Sequence, residues 1–186
     1  KDIIADIHRA YLSAGSQAIE TNTFGANLAN LAEYGIESRI EEFAEAGAQI
    51  AKAVADEFST PDEPRWVLGS VGPGTKLPTL LHTEYRTLRD AYQTQTRGLI
   101  RGGCDAILIE TAQDLLQAKA AIVGAKRAMT QLEIQLPIIV SVTIETTATG
   151  TPSNALSVNR AFSVATRSRT SASNMSGVVS ARVRAP

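Results

Sequence analysis

Cysteine is nearly absent from this 186-residue chain: Cys104 is the only one. That excludes an internal disulfide and a cysteine-rich metal site, and it fits a reducing cytoplasm. Aromatic residues are sparse at 5%. No apolar run reaches the roughly 18 residues of a membrane-spanning helix. No basic-then-apolar leader opens the sequence, so neither a membrane nor a secretory route is expected. Residue 1 is Lys rather than Met, and a helical pattern starts almost at once, as in an excised segment. Acids are missing from the last 36 residues. All 19 lie before residue 151 against 13 Lys and Arg, giving that part −6, while five Arg give the tail +5. A basic tail of this kind attracts nucleic acid, but it holds no Lys and only one aromatic, Phe162, so no nucleic-acid partner is expected.

What is present is an alternating pattern. Asp2 to Ala14 has a helical stripe of Ile3, Ile4, Ile7, Tyr11 and Ala14, ended by Gly15. Ala18 to Thr21 reads as a strand that enters the small polar turn Asn22–Asn27. Ser38, with Glu41 three residues on, forms a capping-box pattern for a helix to Phe58. Its apolar stripe runs from Ile40 through Ala44, Gly47 and Ala51 to Val54 and Phe58. Trp66 to Ser70 is a second strand, with Trp66 expected to pack under a helix. A long loop from Val71 to Thr83 follows, then a helix to about Arg101. Ala106–Ile109 is a short apolar run suited to a strand buried on both faces. Asp114 caps a helix from Leu115 to Met129, and Ile138–Ile144 is a fourth strand.

Strand and helix alternation implies parallel strands with right-handed crossovers. The fold class is α/β. A doubly wound sheet lacks its glycine-rich turn here, and Lys76 stands one residue late for a phosphate loop after Gly69 and Gly74. Acids and hydroxyls recur at strand ends in Ile19-Glu20-Thr21, Ile109-Glu110-Thr111 and Ile144-Glu145-Thr146, which favours a (β/α)8 barrel with a polar mouth. Four strands make only part of such a barrel, which takes about 250 residues. Residues 1–150 are read as the partial barrel. Residues 151–186, with 11 Ser and Thr, are read as a Ser/Arg-rich tail, disordered or translated out of frame.

Residues 3 to about 147 resemble the homocysteine-binding module of the cobalamin-dependent methionine synthases. The carriers are Asp6-Ile7-His8-Arg9-Ala10-Tyr11-Leu12, Glu20-Thr21-Asn22-Thr23-Phe24-Gly25-Ala26, Gly69-Ser70-Val71-Gly72-Pro73-Gly74-Thr75-Lys76 and Leu108-Ile109-Glu110-Thr111. The resemblance implies a TIM barrel, of which this chain covers about strands two to five. It implies transfer of a methyl group to the zinc-bound thiolate of homocysteine, giving methionine. The methyl group arrives on methylcobalamin carried by another module, beside a folate module. The family's zinc ligands are three cysteines on later strands, and none is present here. The chain alone is therefore expected to bind no zinc and to turn nothing over, and Cys104 is expected to be a small buried residue.

By the same resemblance, Glu110 is expected to hold the ammonium of homocysteine; from their place at the strand ends, Asn22, Thr23 and Thr143 are read as further substrate-binding residues at the mouth. Turn chemistry explains Asn22 and Thr23 equally well. Glu20 and Glu145 read better as structural ion-pair partners, His8 as a solvated or capping residue, and His82 has no partner at metal-ligand spacing. Two other classes stand beside the methyltransferase. One is an acid–base enzyme using Glu110 and Glu145. The other is a non-catalytic half-barrel that associates with another chain through uncovered strand edges.

Overall fold

The computed structural model describes residues 1–143. The tail, the end of the fourth expected strand at Ile144, and Glu145 lie outside the described residues. Helices α1 (Asp2–Ser13), α2 (Leu28–Ala32), α3 (Ile40–Phe58), α4 (Tyr85–Arg101) and α5 (Leu115–Gln131) alternate with strands β1 (Ala18–Glu20), β2 (Trp66–Val71), β3 (Ala106–Ala112) and β4 (Ile138–Val142).

The strands form one parallel sheet in the order β1-β2-β3-β4. A doubly wound sheet reverses its strand order at a switch point, and none occurs among the described strands. The order grows in one direction, as a barrel wall does. Alternation along each strand then defines two faces. Ile19, Val67, Val71, Ile107, Ile109, Ile138 and Val140 point to the core shared with the helices. Glu20, Leu68, Ser70, Leu108 and Glu110 have the opposite parity and line the inner face.

Small residues let the helices close on the sheet and on each other. Ala44, Ala48, Ala51 and Ala55 of α3 are fully buried. A Cβ at Gly98 of α4 would stand 2.4 Å from the Glu41 carbonyl oxygen and 2.9 Å from the Ala44 Cβ. Gly124 gives α5 the same close approach to α4, where a Cβ would lie 2.6 Å from the Arg89 carbonyl oxygen. A larger residue at either site would push the helices apart.

Four expectations need correction. The stripe Ile3, Ile7 and Tyr11 is exposed at 76, 47 and 62%, and α1 instead buries Leu12 and His8. His8 is therefore not solvated, and burial lowers its pKa. Ser38 sits in a single tight turn over Glu37–Arg39, so α3 starts at Ile40 with no side-chain cap. Glu41 is drawn across to Arg97 (Nε–Oε1 2.8 Å) and Arg101 on α4, which ties α3 to α4 instead of closing a capping box. Glu20 has no ion pair among the described residues, since no cation reaches the inner face beside it. Cys104 is buried as expected, in the core beside Gly69, and its thiol is pushed up to about 12 chiefly by that burial.

Candidate active site

The mouth is the rim where the strands end. Parallel pairing aligns Ser70 of β2 with Leu108 of β3, so Glu110 follows two residues further on the same face. There the Ser70 hydroxyl donates to Glu110 Oε1 at 2.5 Å. The hydroxyl engages one carboxylate oxygen and leaves the second uncommitted to Ser70.

The strand does not end at Ile109. It continues to Ala112, but its register with β4 shifts between Ile109 and Ala112, and Thr111 stands at φ 57°. A β-branched residue in the left-handed region is costly, and such irregularities re-aim side chains at strand rims. The kink immediately follows Glu110.

A chain of hydroxyls fixes the β1 end against β2. The Ser70 backbone N–H donates to Thr21 Oγ1 (2.9 Å), and the Thr23 hydroxyl donates to the Ser70 carbonyl (2.7 Å). The two threonine hydroxyls meet at 2.6 Å. With the Thr23 proton committed to Ser70, Thr21 is the donor in that contact. Gln95 of α4 reaches the same place, donating to the Thr23 carbonyl at 3.0 Å. Thr21, Thr23, Ser70 and Gln95 are all buried. The backbone around Ser70 is thus held from three elements, and Ser70 in turn orients Glu110.

The other sequence-selected residues separate. Asn22 is exposed, and its Oδ1 lies against α3, about 3.0 Å from where a Cβ on Gly47 would stand. It does not join the Ser70–Glu110 group. Thr143 is half-buried just past β4, where its N–H donates to the Ala112 carbonyl at 3.0 Å. Glu20 lies on the inner face. Burial, then the neighbouring Glu110 charge, raises its pKa. Two carboxylates without a cation between them describe a place that a positive group would fill.

Sequence reasoning missed Thr21, Ser70 and Gln95 as supports. Ser70, a polar residue closing an apolar strand, carried a readable signal. Gln95 carried a weaker one, a polar residue on the buried side of α4. Also missed was the clasp on the β2–α4 loop. Asp114 caps α5 through the Leu116 and Gln117 N–H groups (2.8 and 3.1 Å) and also accepts from the Thr79 N–H (3.1 Å) and hydroxyl. Burial acts to raise the Asp114 pKa, but these donors outweigh it and hold the carboxyl below the usual range. Gln117 donates to the Pro73 and Lys76 carbonyls, and the Tyr92 hydroxyl donates to Pro73 as well (2.9 Å). The long loop is strapped down beside the mouth.

No group of three or more His, Cys, Asp and Glu able to hold a metal ion exists among the described residues. Cys104 precedes β3, at the rim opposite Glu110, and its raised pKa disfavours the thiolate that a metal requires. No described helix is long and apolar enough to cross a membrane.

Comparison with known proteins bears on this arrangement. The family described as homocysteine S-methyltransferase matches residues 1–171. The methionine synthase of Mycobacterium leprae (strain TN) is 56% identical over 148 residues, covering 80% of this chain and 12% of that protein. The methionine synthase of Mycobacterium tuberculosis (strain ATCC 25618 / H37Rv) is 55% identical over 148 residues with the same coverage. The chain thus spans about an eighth of the length of these curated relatives, at 12%. Among solved structures, the homocysteine methyltransferase MmuM from Escherichia coli matches in its metallated form with a TM-score of 0.65 at 20% identity. The match covers 81% of this chain and 56% of that one. The oxidized form gives 0.64, covering 81% and 55%. The structural likeness shows that the sheet and its helices are about half of such a barrel.

Proposed function

The chain belongs to the homocysteine S-methyltransferase family, and we propose that it forms the homocysteine-ammonium side of that barrel's mouth, in a protein of the methionine synthase kind. The single observation that carries this reading is the Ser70–Glu110 pair on the inner face, next to a second carboxylate, Glu20, with no cation among the described residues to match them. Homocysteine brings an α-ammonium group. Glu110 accepts from it, and the Ser70 hydroxyl, donating to one carboxylate oxygen, keeps the group correctly turned. Thr21, Thr23 and Gln95 hold the Ser70 backbone. Thr143 lines the rim at β4. Asn22 contributes through the β1 turn rather than by contact with Glu110.

The described residues do not fit zinc: no cluster of three or more His, Cys, Asp and Glu stands among them, and Cys104 lies at the opposite rim with its thiol held neutral by burial. In the complete protein, zinc and methylcobalamin chemistry, along with the folate and cobalamin modules, belong to residues outside this chain. Taken alone, the chain then binds part of the substrate without methyl transfer. Stoichiometric tight zinc binding and methionine formation by the isolated chain would contradict that.

The test of the mouth uses a complete barrel carrying this segment. Glu110→Gln keeps the shape and removes the charge. A charge-assisted hydrogen bond is worth about 1.5–3 kcal/mol, so KM for homocysteine should rise roughly 10- to 100-fold. An unchanged KM would remove Glu110 from the site.

A further inference from the structure

Three residues other than glycine hold a left-handed backbone among the described residues: Leu81 (φ 58°), Glu133 (φ 54°) and Thr111 (φ 57°). The first two close helical turns. Leu81 follows the tight turn Pro78–Leu80, and the next N–H, of His82, returns to the Leu77 carbonyl (3.2 Å). Glu133 follows the end of α5, and the Ile134 N–H returns to the Met129 carbonyl (3.0 Å). Closures of this kind routinely place the residue after a helix in the left-handed region. Thr111 has no helical turn before it. It lies inside β3, and its β-branched side chain belongs to the type that tolerates this region least.

The pairing with β4 shows what this conformation does. Ile109 faces Val140 and Ala112 faces Val142, so Glu110 and Thr111 together stand against Ser141 alone. Regular alternation would put Ile109 and Ala112 on opposite faces of the sheet. The extra residue instead brings both into burial, at 3% exposure each. Both ends of the irregularity are pinned. Ile109 is paired on its other side with Val71, and the Ala112 carbonyl accepts from the Thr143 N–H (3.0 Å). Two residues beyond Ala112, Asp114 is fixed by the α5 cap and by Thr79. Surroundings that determine the backbone from both sides hold a strained residue in place. We propose that Thr111 is a positioning residue, whose constrained left-handed backbone fixes the direction in which Glu110 leaves β3. This rests on Glu110 binding the homocysteine ammonium. Ser70 holds one oxygen of the carboxylate, and Thr111 holds the backbone from which the side chain departs. An extra residue in a strand re-aims a side chain in this way beside active sites.

The test uses a complete barrel carrying this segment and compares Thr111→Gly, Thr111→Asn and Glu110→Gln. Glycine enters the left-handed region without steric cost but leaves the backbone free to move. Asparagine tolerates the region and stays restricted. Thr111→Gly should melt at the wild-type temperature or above it, while KM for homocysteine rises roughly 10-fold, the low end of the Glu110→Gln effect. KM for 4-sulfanylbutanoic acid, which carries no ammonium group, should not move. Thr111→Asn should keep KM for homocysteine near the wild-type value. Added to Glu110→Gln, Thr111→Gly should cause no further loss, since it acts through the same carboxylate. An unchanged KM in Thr111→Gly beside a raised one in Glu110→Gln overturns the inference and leaves the ammonium reading standing. So does a lower melting temperature for Thr111→Gly, an equal loss for both acceptors, a loss shared by Thr111→Asn, or additive losses in the double variant. An unchanged KM in Glu110→Gln removes the ammonium reading, and this inference with it.

Discussion

Two amphipathic helices, α4 and α1, show apolar stripes of similar clarity and end in opposite situations. α4 lies between α3 and α5, notched at Gly98 on one side and meeting Gly124 on the other, with Leu88, Tyr92 and Leu99 buried. α1 lies at the end of the row and leaves Ile3, Ile7 and Tyr11 to solvent. Among the described residues, α4 is covered on both sides and the apolar flank of α1 is exposed. Periodicity reveals which face of a helix is apolar, and only topology decides whether anything covers it.

That contrast sets the order of expected effects. Leu99→Ala, at a fully buried position between the sheet and α4, should cost about 3 to 4 kcal/mol in denaturant unfolding, against a flank substitution of the same kind. Asp114→Ala removes a helix cap and the Thr79 clasp together and should cost about 1 to 2 kcal/mol. The folded-state pKa of Asp114 is depressed, so its contribution is fully present above the unfolded value of about 3.9 and is lost as pH falls through the folded value. The difference between wild type and Asp114→Asn, followed by thermal melting, should shrink as pH drops below about 4. A difference that grew in acid would contradict the assignment.

His8 gives a smaller, separable effect on the α1 side. Its pKa is lowered by burial, so the folded state resists protonation. Stability should then fall as pH drops below the unfolded histidine value of about 6.5 and continue falling until the folded value is passed. His8→Phe should flatten that slope between pH 7 and 5; a slope kept intact would place its origin elsewhere. The smallest effect belongs to the flank itself. Ile7→Ser should change stability by no more than about 0.5 kcal/mol, since Ile7 is half exposed. A core-sized loss there would show that the flank of α1 is covered.

The same contrast explains what was legible in the sequence. The β3 run Ala106–Ile109, the Asp114 cap and the alternation of elements were readable because local pattern and tertiary position agree there. Ser38–Glu41 misled because a long-range pull, Arg97 and Arg101 on Glu41, overrode a local motif. His8 misled because a polar residue flanked by Asp6 and Arg9 looks solvated, yet α1, packed on α3 and β1, buries it while Ile3, Ile7 and Tyr11 face outward. At the mouth, Glu110 was visible as a strand-end acid. The hydrogen bonds that aim it were not, since Thr21, Gln95 and Glu110 are 49, 25 and 40 positions from Ser70 and meet it only through the tertiary fold. Asn22 has the right chemistry for the mouth, but its side chain is set against α3.

The central claim is that Glu110 reads the ammonium of homocysteine. The direct measurement compares homocysteine with 4-sulfanylbutanoic acid, its counterpart without the amino group, as methyl acceptors for a complete barrel carrying this segment. The two kcat/KM values should differ strongly in the wild type, and Glu110→Gln should bring them close together by lowering the value for homocysteine alone. Equal losses for both acceptors, or a preference that survives the substitution, would contradict the account.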